Sequence, residues 1–325
     1  MPFMPRLPHL AAVAAAAVAL GLLATAPASG DEPLVSHPRV VAHFDFAAGE
    51  TPENIAVEPD GSADLTFALA RQVANVTRHG DIRGRVTLPA VANPNTPIVH
   101  NAIVLGIARA HDGTLYVVYA TGTSATGVWR IPAGGGTPRQ IAKLPADGLP
   151  NGLALDEHRG VLYAADSVRG TVWRVPVTGG PRVAWATGTA LTPVPSGSGF
   201  GANGIKVHDG AVWVSNTDRG TLLRIPVRPD GSAGPVRTRA TGLVGIDDFA
   251  FVSHHHDTVL AAINSTSQVV VVRPDGTHSV VLTQQDGLSN PTSVAVRKRT
   301  VYVPSASYFA AVPDPNLLLA RLHRR

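Results

Sequence analysis

Hydrophobic positions in this chain recur in short runs that are separated by turn residues. In residues 149–177 (LPNGLALDEHRGVLYAADSVRGTVWRVPV), three apolar runs alternate with the polar segments DEHRG and SVRG. Short runs rich in Val, Leu, Tyr and Trp that are bounded by glycine-containing turns predict β-strands. The stretch therefore predicts three strands, of which the first opens with Asn151 and Gly152 rather than with apolar residues.

The same order of strand, tight turn, strand and strand recurs six times. A weaker fourth strand follows in several units, for example in RQIAKLP and RVAWATG. The repeat length is near the ~40–50 residues of a four-stranded propeller blade. The units begin at Glu53, Leu105, Asn151, Asn203, Asp247 and Thr292.

This repeat predicts an all-β fold, a six-bladed β-propeller of four-stranded blades, over residues 29–325. The early strand Arg39–Phe46 (RVVAHFDF) has no unit of its own, and the sixth unit ends at Asn316–Leu322 (NLLLARL). We therefore expect the N-terminal strand to complete the last blade and to close the ring.

The N-terminus has the three zones of a secretory signal peptide. Arg6 precedes an apolar run, Leu10–Leu23, and small residues (ATAPASG) follow it. We expect residues 1–28 to be removed, with cleavage after Ala26 or Ala28, and the protein to be secreted. The run is shorter than the about 20 residues of a membrane span, and no later segment is long and apolar enough to be one.

Composition narrows the function classes. The chain has no cysteine, so neither a disulfide nor a lipoprotein anchor is expected. The formal net charge is +4, and the basic residues are dispersed rather than clustered, which argues against nucleic-acid binding. We expect a monomer whose partner is a small molecule.

The first residues of the six units predict a functional site. The first strand of each blade lines the central channel, so these residues form a ring at one mouth. Glu53, Asn151, Asn203 and Asp247 bring oxygen donors to this ring, and oxygen donors suit hard cations. We expect one divalent cation there, with Ca²⁺ as the first choice and Mg²⁺, Mn²⁺ or Zn²⁺ as alternatives. For one unit alone, Asn-Gly is more typical of a turn than of a binding site.

These residues resemble the senescence marker protein-30/gluconolactonase group of six-bladed propellers. In that family a Glu opening the first blade, an Asn in the fourth and an Asp in the fifth bind a divalent metal, with a further Asn or Asp near the third. The resemblance implies Glu53, Asn203, Asp247 and Asn151 as metal ligands. The family's Arg-x-Asn-Asp run, which holds a polyol substrate, is replaced here by ADGLPN at 146–151.

The resemblance implies metal-assisted hydrolysis of a lactone or related ester. Asp247 or its neighbour Asp248 is the candidate base that takes a proton from water. One alternative is a non-catalytic propeller that binds a peptide, glycan or small molecule around a structural ion. Another alternative is a metal-free propeller similar to strictosidine synthase, against which the converging carboxylates argue.

Weaker candidates lie near the same mouth. Asp166, Asn216 and Asn264 follow second strands at a matching position, where they either contact substrate or cap turns. His100 and Asn101 precede the second unit, in a loop that could fold over the channel.

Overall fold

The structure is a computed structural model that describes residues 33–323. Within these residues it contains six antiparallel sheets of four strands each. The predicted six-bladed β-propeller is therefore confirmed. The predicted signal peptide lies outside the described residues. No helix within residues 33–323 has the length and apolar character needed to cross a membrane.

Five blades are each built from four consecutive strands, in the order of the chain from the innermost strand outwards. Within the described residues, short 3-10 helices at Asn264–Thr266 and Gln284–Asp286 interrupt the otherwise all-β structure. The strands, numbered in chain order, are β1 (Val35–His43), β2 (Pro52–Val57), β3 (Ala63–Phe67), β4 (Gln72–Val76), β5 (Ile82–Thr87), β6 (Ile103–Arg109), β7 (Leu115–Ala120), β8 (Gly127–Ile131), β9 (Arg139–Lys143), β10 (Pro150–Asp156), β11 (Val161–Asp166), β12 (Thr171–Pro176), β13 (Val183–Thr187), β14 (Ala202–His208), β15 (Ala211–Asn216), β16 (Thr221–Pro226), β17 (Arg237–Ala240), β18 (Ile246–Phe251), β19 (Val259–Ile263), β20 (Gln268–Val272), β21 (His278–Leu282), β22 (Ala295–Arg297), β23 (Thr300–Ser305) and β24 (Asn316–Leu322).

The sixth sheet has the order β22-β23-β24-β1, so its outermost strand comes from the start of the described chain. Val35 pairs with Leu322 and His43 pairs with Asn316 in an antiparallel ladder. The strand ends at His43 rather than at Phe46, because Asp45 begins a turn. Its carboxylate accepts hydrogen bonds from the backbone N–H groups of the second and third residues after it.

The innermost strands contact one another in the order β2, β6, β10, β14, β18 and β22, and β22 contacts β2. The apolar cores lie between neighbouring blades. Trp213 of the fourth blade meets Phe251 of the fifth edge to face, with ring centroids 5.2 Å apart. This arrangement brings the first residues of the innermost strands together around the axis.

An irregularity in pairing marks the start of five innermost strands. The register shifts between Pro52 and Asn54 in β2, and equivalent shifts occur in β6, β10, β14 and β18. Each shift is a β-bulge, which leaves a residue out of the ladder and redirects its side chain. Glu53, Asn151, Asn203 and Asp247 all lie in these bulges.

The close packing of neighbouring blades explains why glycine follows the amide. A Cβ at Gly152 would lie 2.3 Å from the backbone oxygen of Asn203, and one at Gly106 would lie 2.4 Å from that of Asn151. A Cβ at Gly204 would lie 2.7 Å from the backbone oxygen of Asp247. Each glycine therefore lets the next blade approach, which a side chain would prevent.

Replacing Gly152 by alanine is expected to reduce the free energy of unfolding by about 1 to 3 kcal/mol, because the new methyl group overlaps backbone of the adjacent blade. Chemical denaturation measures the change. Gly84→Ala is the matched control, since an added Cβ there meets nothing within 4 Å. Equal stability of the two variants would contradict the close approach.

Candidate functional site

A cavity of about 400 Å³ opens at the mouth where the bulges lie. Glu53, Asn151, Asn203 and Asp247, the four predicted metal ligands, all line it. Each is a buried residue, between 4% and 8% exposed. The structure thus brings together four oxygen-bearing side chains that come from four different blades.

Burial dominates the chemistry of Glu53. It raises the pKa of the carboxyl group to about 7, and the negative charge of Asp248 adds to the increase. A hydrogen bond from the Tyr308 hydroxyl, 2.7 Å from Oε2 of Glu53, acts in the opposite direction. Glu53 is therefore costly to ionise unless a positive charge lies beside it.

Asp247 behaves in the same way. Burial raises its pKa well above the usual range, and the negative charges of Glu53 and Asp248 add to the increase. A hydrogen bond with Asn203 and the positive charge of Lys206 partly oppose it. Two buried carboxyl groups in one cavity, of which Glu53 raises the pKa of Asp247, are a place where a bound cation would relieve repulsion.

The two amides are oriented by hydroxyl groups. Nδ2 of Asn151 lies 3.3 Å from Oγ of Ser167, and Nδ2 of Asn203 lies 3.0 Å from Oγ1 of Thr217. Because each nitrogen donates to a hydroxyl, the amide oxygen is the atom that remains available as a ligand.

The donor set fits a hard divalent cation. It consists of carboxylate and amide oxygens only, the ligands that Ca²⁺ and Mg²⁺ accept. No cluster of three or more His, Cys, Asp or Glu side chains arranged for a metal occurs within residues 33–323. A cation here would therefore depend on the amides as well as on the two carboxylates.

Asp248 does not line this cavity, although it follows Asp247 directly. Lys206 donates from Nζ to its Oδ1 over 2.7 Å, and Asn54 and Ser293 donate to its Oδ2. Asp248 occupies the position that glycine holds in blades two to four, and it is 1% exposed. The hydrogen bonds of its carboxylate are thus made to side chains of the protein and not to the cavity.

The weaker candidates divide into two groups. Asn264 lines the cavity, and its Nδ2 lies 3.4 Å from Oδ2 of Asp247. Asp166 instead accepts hydrogen bonds from the backbone of Leu149 and from the indole of Trp173, and burial raises its pKa. Asn216 donates to two backbone oxygens in the preceding loop. These two residues fasten turns, and neither lines the cavity.

His100 and Asn101 are also absent from the lining. Nδ1 of His100 lies 3.0 Å from Oδ1 of Asn95, and Oδ1 of Asn101 accepts from the next backbone N–H. Both side chains therefore contact their own loop.

Sequence reasoning missed Tyr308 and Phe309, which line the cavity from the loop between β23 and β24. It also missed Phe200 and Val244, which lie on loops that enter β14 and β18. These loops contain no repeat pattern. The adjacent aromatic residues Tyr308 and Phe309, in the loop between two strands, were the available signal.

In a chelator, the stability of the protein is expected to fall as pH rises from about 4.5 to about 7. Glu53 has its pKa raised to about 7 in the folded state, so the folded state binds more protons than the unfolded state in this window. The contribution of Glu53 to this loss is on the order of 3 kcal/mol. Glu53→Gln should make the profile less steep in denaturation experiments across this range, and the remaining slope comes from other buried carboxyl groups with raised pKa values, Asp64 and Asp247 among them. A profile unchanged by that substitution would contradict the assignment.

No protein-family model matches the sequence, and no curated protein matches it. Solved structures do resemble it. A protein provisionally named a gluconolactonase is 17% identical with a TM-score of 0.60, and the match covers 89% of this chain and 92% of that chain. The PQQ-bound aldose sugar dehydrogenase of Streptomyces coelicolor is 15% identical with a TM-score of 0.63, over 90% and 99%.

A catalytically inactive virginiamycin B lyase from Staphylococcus aureus, in complex with quinupristin, is 13% identical with a TM-score of 0.57, over 88% of this chain and 100% of that chain. The chain shares their propeller fold. Such neighbours are consistent with the resemblance to gluconolactonase-like propellers. Identities of this size establish the fold alone, and a shared fold does not determine the function.

Proposed function

We propose that this protein is an exported, divalent-metal-dependent hydrolase of lactones or related esters. The observation that carries the proposal is the convergence of Glu53, Asn151, Asn203 and Asp247 on one cavity. Two buried carboxyl groups whose pKa values are both raised, together with two amides, form the ligand set of a hard cation.

In this proposal Glu53, Asn151 and Asn203 bind the cation, and Asp247 serves both as ligand and as base. A divalent cation supplies Lewis-acid polarisation of an acyl oxygen and lowers the pKa of water. The protein's own contribution is orientation. Tyr308 donates a hydrogen bond of 2.7 Å to the Glu53 carboxylate, and Asn264 donates one of 3.4 Å to the Asp247 carboxylate.

Hydrolysis needs a base that accepts a proton from water, and Asp247 has this role in the proposal. The oxygen of a water molecule forms a bond to the acyl carbon, and Asp247 accepts a proton from that water. The bond between the acyl carbon and the ring oxygen then breaks, and the proton passes to that oxygen. The product is a hydroxy acid. Asp248 is the poorer base, because Lys206, Asn54 and Ser293 already bind its oxygens.

The second candidate function is a non-catalytic module that binds a small molecule around a structural ion. The observation in its favour is that the polar wall is largely satisfied within the protein. Thr217 donates to a backbone oxygen, and Ser198 donates to Asp218. Few polar groups are then left to orient a substrate.

Hydrolysis assays on the mature protein separate the two candidates. We expect lactones to be opened in the presence of Ca²⁺, Mg²⁺, Mn²⁺ or Zn²⁺, and activity to disappear in a chelator and to return when the ion is restored. Cation binding without turnover of any lactone or ester would overturn the hydrolase and favour the binding module.

Cation binding itself is expected to raise the free energy of unfolding. At a cation concentration 100 times the dissociation constant, the increase is about 2.7 kcal/mol. Thermal unfolding with chelator and then with each ion measures it. The double variant Glu53→Gln/Asp247→Asn should lose the increase, whereas Asp209→Asn, on an exposed turn, should keep it. An equal increase in all three proteins would locate the ion elsewhere.

A further inference from the structure

The rim of the cavity is apolar. Phe309 is 74% exposed and Val244 is 64% exposed, and both line the cavity, as does the half-buried Phe200. Single exposed apolar residues are common on protein surfaces. Here, however, two exposed apolar residues and the half-buried Phe200 line one opening whose floor carries the buried carboxylates.

Hydrogen bonds hold the backbone on which these apolar residues lie. The N–H of Phe309 donates to Oδ1 of the buried Asn290 over 2.9 Å, and the preceding residue, Tyr308, donates to Glu53. On the other side, Val244 lies between Leu243 and Gly245, whose N–H groups donate to Gly220 and Thr217. The backbone of the rim is therefore hydrogen-bonded before a ligand binds, so little backbone entropy is lost on binding.

The charge of the cavity excludes one class of substrate. None of the described residues that line it is Lys, Arg or His. The proposed cation would offset the charge of the two carboxylates on the floor, but no lining side chain adds a positive charge away from it, and Asp218 adds a carboxylate to the wall. A carboxylate or phosphate group of a substrate, other than the reacting group beside the cation, therefore has no binding partner on these walls.

The hydrogen bonds of the walls disfavour a second class. Ser198 donates to Asp218 over 2.6 Å, and Thr217 donates to the backbone oxygen of Ile246 over 2.8 Å. Asn264 donates to Asp247 and to two backbone oxygens. A polyhydroxylated ring would leave hydroxyl groups without partners, which costs binding energy.

We infer that the substrate is a neutral lactone or ester that carries an alkyl or aryl group, and not a sugar lactone. The inference rests on the proposed function. The reacting carbonyl group faces Glu53 and Asp247, and the apolar group packs against Phe200, Val244 and Phe309. A cavity of about 400 Å³ accommodates a molecule of this size.

Two series of compounds test the inference. In hydrolysis assays with saturating cation, kcat/KM should rise about twofold for each methylene from δ-hexanolactone to δ-decanolactone, about half of the effect of full burial because the rim is open on one side. Glucono-δ-lactone should be the poorest substrate. Calorimetry with the matching alkyl δ-lactams, which are not hydrolysed, should give affinities that follow the same trend.

Matched variants locate the effect. Phe309→Ala should lower kcat/KM for δ-decanolactone about tenfold, and Val244→Ala about threefold to fourfold, and both should lower it less for unsubstituted δ-valerolactone. Val183→Ala, which removes an exposed valine from the outer strand β13, should change neither.

The outcomes distinguish the inference from the proposed function. Hydrolysis with a flat chain-length profile, or with glucono-δ-lactone preferred, would overturn the inference and leave the hydrolase standing. Lactam affinities that follow chain length without hydrolysis of any lactone would overturn the hydrolase and leave the apolar ligand class standing. Neither lactam binding nor hydrolysis would overturn both.

Discussion

Asp247→Asn is expected to lower kcat/KM for lactone hydrolysis by about 10²- to 10⁴-fold, the range typical of a lost general base. The amide keeps the size of the side chain and cannot accept the proton from water. The loss should appear mainly in kcat, since the apolar contacts with the substrate remain. Steady-state kinetics at saturating cation, across pH, measure it.

The control for this prediction makes the same chemical change at another aspartate. Asp209→Asn lies in the exposed turn between β14 and β15, where the backbone φ of 44° is one that asparagine tolerates. We expect wild-type kinetics from it. Full activity of Asp247→Asn at saturating cation would remove Asp247 from the mechanism, and loss of activity that merely follows loss of folding would be visible in its melting curve.

Lys206→Met is expected to lower the free energy of unfolding by about 3 to 5 kcal/mol. The carboxylate of Asp248, which is 1% exposed, then lacks the positive charge of the Lys206 ammonium group. Hydrogen bonds from Asn54 and Ser293 remain, but neutral donors do not replace a positive charge. Denaturant titration at neutral pH measures the loss.

The double variant Lys206→Met/Asp248→Asn separates the charge effect from packing. It removes both charges and keeps an amide oxygen that can accept from Asn54 and Ser293, so it should recover most of the stability lost in the single variant. If both variants lost the same amount, packing of the lysine stem against Phe249, whose ring centroid lies 5.7 Å from Nζ, would be the larger contribution.

The first residue of each repeat unit was predictable from the sequence, because strand, turn and strand recur with regular spacing. The same spacing also identified Glu53, Asn151, Asn203 and Asp247, which lie at equivalent positions of their blades and line one cavity. The reason that Gly152 follows Asn151 required the structure. A glycine in a turn and a glycine that admits a neighbouring blade have the same sequence signature.

Other residues could not be assigned from the sequence for geometric reasons. Asp247 and Asp248 are adjacent, and only the bulge determines which of them faces the cavity. Asp166 and Asn216 end the second strands of their blades at the same position. In both, however, the side-chain oxygen accepts a hydrogen bond from the backbone N–H three residues later, in the turn that follows the strand. Tyr308 belongs to a loop without a repeat equivalent, so nothing in the periodicity relates it to Glu53, which lies 255 residues earlier.

The pairing of β1 with β24 also determines how the molecule responds to mechanical tension. Val35, at the beginning of β1, pairs with Leu322, at the end of β24. A force that pulls these two residues apart acts across the ladder at one end, so its hydrogen bonds break one after another rather than all together. The sixth blade is therefore the mechanically weak one, and it should open under load while the other five blades remain folded.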